Sequence, residues 1–477
     1  MTTPVTGAFK SYSLSSTPRL LSMHIPTRRS FLRAGATLAA ASALPRFAIG
    51  QSGPSALYRA NLGFIGAGGI ADVAFDGCAG ENFVAICDVD DDRAAPNYQR
   101  YPEARRFKDY RNMLERMEHQ LDGVVISTPD HHHFAAAYLA MSMGIPVYVQ
   151  KPLTHDIWQS RTLQKAAHHF DVITQMGNQG HATSGIRLVK EWYDADVIGD
   201  VTEVHAWFIG PDFDSEYFNM PPTFPPPTGP VPMALDYDLF LGPVAPRAFS
   251  PEYHPLTWRG WWDFGCGMLG DWGCHTLDAP FWALELGQPT RVSVAEIDFV
   301  HETFMPRASH LIFEFPARGD KPPVKLHWYD GGLKPKTEDI PEWPEGEEFA
   351  WGGMIMVGSK HTLMTGGRPD SPKLINPEAW EALRRNPPAQ TIPRVKGGPF
   401  QEWIHAIKGD GPMPGSNFDY AAPLTEMNQV GVIAQQTNRT IEYDAATMQI
   451  TNHDDLGHLI RCPTRAGWDF GREVWRS

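Results

Sequence analysis

Three short stretches of this chain carry side chains able to act on an oxygen atom. Lys151-Pro152 follows directly on the apolar run Val147-Tyr148-Val149. Proline keeps the residue before it extended, so Lys151 is held out of a following helix and can project into a crevice beyond the strand end. An ammonium there polarises a hydroxyl or carbonyl oxygen; the plain alternative is a surface lysine at a strand end. Farther along, Asp271-x-x-x-His275 places a carboxylate and an imidazole on one helix face, with Asp278 on the same face a turn later. His275 could take a hydroxyl proton while Lys151 steadies the oxygen, and Asp271 would orient the ring or bind hydroxyls; taken alone, the pattern also suits a capping or packing pair. The third stretch is Thr128-Pro129-Asp130-His131-His132-His133. Adjacent residues point in different directions on a helix, and neither Cys-x-x-Cys nor His-Glu-x-x-His spacing occurs, so no metal site is expected.

A partner for this chemistry is written nearer the start. The apolar run Leu62-Gly63-Phe64-Ile65 breaks into Gly66-Ala67-Gly68-Gly69-Ile70-Ala71, and a second apolar run ends at Asp88. Gly66 allows a tight turn out of a strand, Gly68 lacks the Cβ that would block a pyrophosphate, and Ala71 lets the next helix pack closely. Asp88 can accept hydrogen bonds from both ribose hydroxyls, which favours NAD over NADP. Arg93 reopens that choice, since its guanidinium either pairs with a 2'-phosphate or stacks on adenine. The expected cofactor contacts are Gly66, Ala67, Gly68, Gly69, Ile70, Asp88, Arg93, Thr128, Pro129, His133 and Lys151. A dinucleotide-binding fold that has lost its ligand is the alternative.

Elements that would position these groups follow from periodicity. Between residues 60 and 177, apolar strands alternate with amphipathic helices (134–143 and 157–169 among them, with a last strand over 172–174), which implies a doubly wound parallel sheet. Beyond residue 178 a helix over 186–193, a strand over 201–208 and a Pro-rich loop over 220–232 lead to period-two strands. Those at 291–300, 310–315 and 324–328 point to a largely antiparallel open sheet in a second, α/β domain. Asn178-Gln179-Gly180-His181, where the chain crosses between the halves, offers amides and an imidazole to a polyol, or makes a structural turn. Trp258-Arg259-Gly260-Trp261-Trp262 could stack on sugar rings, or form a packed cluster beneath the Pro-rich loop.

The 477 residues suggest at least two domains, and a net charge of -14 without a basic stripe argues against nucleic acid. Five cysteines make no paired framework; Cys78 and Cys87 fall in apolar patterns and should be buried. Thr27-Arg28-Arg29-Ser30-Phe31-Leu32-Arg33, followed by a short Ala-rich run, has the pattern of a twin-arginine export signal, with cleavage near Ala48-Ile49-Gly50. That run is too short for a permanent membrane span. The layout expected is a signal over 1–50, a dinucleotide-binding domain over 58–178 and a substrate and oligomerisation domain over 179–477.

Taken together, Gly66-Ala67-Gly68, Thr128-Pro129 with His133, and Lys151-Pro152 resemble the Gfo/Idh/MocA oxidoreductases, the glucose-fructose oxidoreductase and inositol dehydrogenase group. The chain departs from that pattern at Gln150, where the family has Glu. Asp271-x-x-x-His275 and the Gly177 to His181 crossing are similar to its exported members. The resemblance implies catalysis by Lys151, His275 and Asp271, and substrate contacts from Asn178, Gln179, His181, Trp258, Arg259 and Asp278. It also implies a carbohydrate substrate, a homo-oligomer and passage through the twin-arginine machinery to the periplasm. Two other activities fit the same parts: an NAD-dependent glycoside hydrolase working by transient oxidation, and a non-catalytic sugar- or cofactor-binding protein.

Overall fold

The computed structural model describes residues 58–213, 215 and 217–476. The export motif and its cleavage point lie outside them. Six parallel strands form the first sheet: β1 (Asn61–Ile65), β2 (Asn82–Cys87), β3 (Arg105–Phe107), β4 (Gly123–Ile126), β5 (Val147–Val149) and β6 (Thr174–Met176), in the order β3-β2-β1-β4-β5-β6. Its central strands are covered on both faces, which is why β4 and β5 are apolar throughout and fully buried. The strand order reverses between β1 and β4, so a crevice opens beyond their carboxyl ends.

Several element boundaries differ from the periodicity, most by a residue or two, among them two in the first domain. The helix after Pro129 begins at Asp130, so the three histidines lie inside its first turns rather than ahead of it. The last strand starts at Thr174 because the Val172 N–H still bonds the Ala167 carbonyl (3.2 Å) behind a left-handed Asp171, within the terminal turn of helix Ile157–Phe170.

The second sheet has nine strands: β7 (Val201–Phe208), β8 (Arg291–Asp298), β9 (Ala308–Phe315), β10 (Val324–Asp330), β11 (Gly352–Gly358), β12 (Thr362–Gly366), β13 (Lys373–Leu374), β14 (Ile441–Asp444) and β15 (Gln449–Ile450). Their order is β13-β12-β11-β7-β10-β9-β8-β14-β15, antiparallel except where β7 meets β10. On β9 the period-two pattern turns Leu311, Phe313 and Phe315 into the core. Phe313 packs there against Gly431 of helix Phe418–Thr437, where a Cβ would come within 2.5 Å of its ring.

Helix Gly398–Lys408 returns to the first sheet: Phe400 stacks on Tyr148 (centroids 4.2 Å apart), and Trp403 lies 2.7 Å from where Gly123 would carry a Cβ. All five cysteines are free, with Cys78 and Cys87 buried. Among the described residues no helix is long and apolar enough to cross a membrane.

Candidate functional site

A cleft of about 730 Å³ runs from the glycine turn to the second sheet, a size suited to a small-molecule ligand. At one end the chain leaves β1 through Gly66, whose φ of +86° is a left-handed value. A Cβ there would stand 2.5 Å from the Ser127 carbonyl oxygen, so only glycine fits. Gly68 is confined by Arg93, whose Cβ would be 3.2 Å from an added methyl; the Arg93 guanidinium therefore lies over Gly68 and Gly69. Asp88 braces the turn: its carboxylate accepts the Ala67 N–H (2.7 Å) and the Asp90 N–H (2.9 Å). Burial, the largest influence, raises its pKa against those hydrogen bonds. Gly66, Gly68, Gly69, Ile70, Asp88, Arg93, Thr128, Pro129 and Lys151 all line the cleft, whereas Ala67 is buried behind it.

His133 does not line the cleft. It is 1% exposed, with Nδ1 2.7 Å from the Pro152 carbonyl and Nε2 2.9 Å from the Thr128 carbonyl. Burial lowers its pKa to about 4, and the neutral ring, with a single N–H, can donate to only one of these two carbonyls. His131 and His132 both reach the Phe240 carbonyl. Among the described residues no group of three or more His, Cys, Asp or Glu side chains is placed to hold a metal ion.

At the middle of the cleft, the Lys151 ammonium donates to the Asp271 carboxylate and to the Asp271 carbonyl (2.9 Å). Burial pushes the Asp271 pKa up, but Lys151 and Arg259 more than reverse it, leaving the carboxyl below its ordinary value. Asp271 is thus the lysine's partner rather than the orienter of His275. His275 is 1% exposed and lines the cleft, and its Nδ1 has no hydrogen-bond partner. Burial first, then Lys151 and Arg368, hold its pKa well below that of an ordinary imidazole, against an opposing pull from Asp271. It is a neutral base beside an ammonium.

The crossover residues divide. Gln179 lines the cleft, with its Oε1 buried and unpaired. Asn178, His181 and Asp278 do not; they are 0%, 3% and 0% exposed. The Asp278 carboxylate accepts from Asn178 Nδ2 (3.0 Å), His181 Nδ1 (2.9 Å) and the Tyr420 hydroxyl (2.5 Å). Helix Gly267–Thr276 ends at Leu277 and Asp278 opens a new one, so the single helix face expected for Asp271, His275 and Asp278 is broken. Asn178, His181 and Asp278 instead tie the crossover together, and none of the three lines the cleft.

Trp258 and Arg259 line the cleft, the guanidinium lying over the Trp258 ring (4.4 Å) and the Tyr217 ring (5.1 Å). Trp261 and Trp262 are core, and Trp261 packs against Tyr253 and Phe304.

Sequence reasoning missed several cleft residues. Asp130 faces Asp271, Lys151 and Arg259, and its pKa is raised to about 7, chiefly by burial and then by Asp271. Arg368 stacks over Trp272 (5.2 Å), and Trp272 lies on Phe208 (3.8 Å). Asp130 stands inside the Thr-Pro motif, where it could have been noticed; Arg368 sits in a turn after β12 with no local pattern.

A dinucleotide fits the donor set. Ser127 Oγ, Thr128 Oγ1 and both amide atoms of Gln150 are buried without partners along the same wall, an arrangement that a polar ligand would satisfy.

The comparisons with known proteins agree in fold. Residues 60–178 match the profile of the Gfo/Idh/MocA oxidoreductase family's NAD-binding Rossmann fold, and residues 221–303 that of its C-terminal α/β domain. The WlbA dehydrogenase of Bordetella pertussis, solved with NADH and UDP-GlcNAcA, superimposes with a TM-score of 0.55 at 15% identity, over 81% of this chain and 99% of that one. That likeness speaks for the fold alone. A uronate isomerase of Halalkalibacterium halodurans is 29% identical over 115 residues, 24% of this chain and 20% of its own. Oxidoreductase P35 of Formosa agariphila is 25% identical over 147 residues, 30% of this chain and 45% of its own. The chain therefore spans less than half the length of either curated relative. The chain thus carries, in this order, the NAD-binding Rossmann domain and the C-terminal α/β domain of the Gfo/Idh/MocA oxidoreductases.

Proposed function

We propose that the protein transfers a hydride between a carbon of a sugar, glycoside or polyol and a tightly held NAD, and that it works outside the cytoplasm as a homo-oligomer. The observation that carries this reading is the meeting, in one cleft, of the glycine turn, the Lys151–Asp271 pair and a neutral His275. Gly66, Gly68, Asp88, Thr128 and Gln150 would hold the cofactor. Its nicotinamide, when bound, supplies the hydride acceptor or donor. Lys151 donates a hydrogen bond to the substrate oxygen, and His275 takes the hydroxyl proton as that oxygen becomes a carbonyl. Asp271 keeps the ammonium aimed. Trp258, Tyr217 and Trp272 give the substrate end aromatic walls suited to a sugar. A carboxylate at Asp88 favours NAD, and a twin-arginine route, which carries folded proteins, suits a cofactor loaded before export.

The test is to purify the full chain without added nucleotide, denature it and identify any released dinucleotide by mass spectrometry. Glycosides are then screened for net nicotinamide reduction and for hydrolysis. Released NAD and net reduction are expected. Hydrolysis with no net reduction would assign the glycoside hydrolase reaction instead, and a chain with no affinity for either dinucleotide would end the enzyme reading.

A smaller consequence concerns pH. Arg368 is one of the cations holding His275 down. Arg368→Gln should let the imidazole protonate more readily, so the acidic limb of kcat/KM for alcohol oxidation moves to higher pH, by roughly half a unit for a cation near solvent. A pH–rate profile unchanged in Arg368→Gln would show that His275 is not the base.

A further inference from the structure

The adenosine end of the cleft is not built from the first sheet alone. The segment between β7 and helix Gly267–Thr276 crosses it and is tied down at several points. The Asp91 N–H donates to the Ala234 carbonyl (3.1 Å), the Asp236 N–H donates to the Val89 carbonyl (2.8 Å), and the Lys108 ammonium donates to both carbonyls (2.8 and 3.2 Å). Beyond this, His254 Nε2 lies 2.7 Å from Asp90 Oδ2, both side chains being 10% exposed. The other oxygen of Asp90 caps helix Asp91–Arg100 by accepting the Asp92 and Arg93 N–H groups (3.0 and 3.2 Å).

His254, Pro255 and Leu256 line the cleft opposite Gly69, Ile70, Val89 and Arg93. Leu256 is close enough that a Cβ on Gly69 would lie 3.9 Å from its side chain. The imidazole packs edge-on against Phe240 (5.0 Å), and its Nδ1 is buried with no partner. Because a carboxylate only accepts, Nε2 carries a proton, and in the neutral form of such a ring Nδ1 is an acceptor.

Resting on the nicotinamide-dependent reading above, we infer that His254 is a ligand of the cofactor's adenosine half: its Nδ1 accepts a hydrogen bond from a ribose hydroxyl or the adenine amino group, and Pro255 and Leu256 cover the base. Asp90 is the positioning residue that fixes the ring. Cofactor departure therefore requires the strap to lift, which breaks the Asp90–His254 contact and uncovers Leu256.

The experiment loads the full chain with NADH and follows its dissociation by fluorescence after a chase with excess NAD at pH 8. His254→Ala is expected to release NADH about tenfold faster, the loss of one hydrogen bond and some cover, and to weaken ADP-ribose equally. Leu256→Ala, which removes only apolar cover, should give a smaller increase and reports even if His254→Ala does not fold. The hypoxanthine analogue of NADH separates the two donors: if wild type binds it more weakly than NADH and His254→Ala does not discriminate, the amino group is the partner. If wild type binds both alike, the ribose hydroxyl is. Release within twofold of wild type in folded variants overturns the inference while leaving the functional reading intact. A wild-type chain that binds neither NADH nor ADP-ribose overturns both.

Discussion

Lys151→Met should lower kcat/KM by about three orders of magnitude while leaving NADH affinity within a few-fold of wild type. Methionine keeps the length and apolar stem but removes the ammonium, the donor nearest the reacting oxygen. Deleting one such donor in a water-poor site costs about 10²–10³ in rate, and the loss of a cation that helps hold the His275 base neutral adds to this. The variant also strands Asp271. In the wild type, the paired carboxylate has a folded pKa below its unfolded value, so its stabilisation is present above the unfolded pKa and fades as pH falls through the folded one. Without Lys151, burial acts on Asp271 with Arg259 and, more weakly, His275 to offset it, and about 1–3 kcal/mol of stability should be lost near neutral pH. Steady-state kinetics, NADH titration and thermal unfolding read the three effects separately. Unchanged turnover in a folded Lys151→Met chain would remove this lysine from the chemistry and favour a binding protein.

Much of this site was legible because its motifs are local. A strand end, a glycine turn and a Lys-Pro pair each report backbone geometry within a few residues, and Gly66, Asp88 and Lys151 reach the cleft on that basis. The partner of Asp271 was not legible. Spacing puts His275 on its helix face, but the ammonium that captures the carboxylate comes from the other sheet, 120 residues away. Asp278 fails for a related reason: one break at Leu277 is enough to send it elsewhere. His133 follows the family spacing and is nevertheless buried, its two ring nitrogens facing backbone carbonyls and not the cleft. The strap over Asp90 could not be read at all, since its contacts join segments that no period or motif relates. The departure at Gln150 acquires a meaning in the structure: its amide is buried and unpaired on the cofactor wall, while a carboxyl, Asp130, stands elsewhere among the neighbours of Lys151.

Asp278→Ala should damage the whole molecule rather than the chemistry alone. Its carboxylate is the common acceptor for Asn178 of the crossover, His181 of the following turn and Tyr420 of helix Phe418–Thr437. Alanine leaves three buried donors facing a void, and Asn178 is further committed to Ser416 through its own Oδ1 (2.5 Å), so it cannot turn away freely. Each unsatisfied group costs about 1–3 kcal/mol, and partial filling by water brings the total to about 3–5 kcal/mol. A drop in Tm of roughly 5–10 °C is expected for a chain of this size. Activity should fall too, because Gln179, between Asn178 and His181, holds its amide in the cleft only while that segment is pinned. Asp278→Asn should lie between, keeping one acceptor oxygen for His181 and Tyr420 but setting an amide donor against that of Asn178. This pattern separates the two residues: Lys151→Met loses turnover at modest cost in Tm, whereas Asp278→Ala loses Tm first and turnover with it. An Asp278→Ala protein with wild-type Tm and impaired turnover would mean that the carboxylate does meet substrate, and that the buried network is secondary.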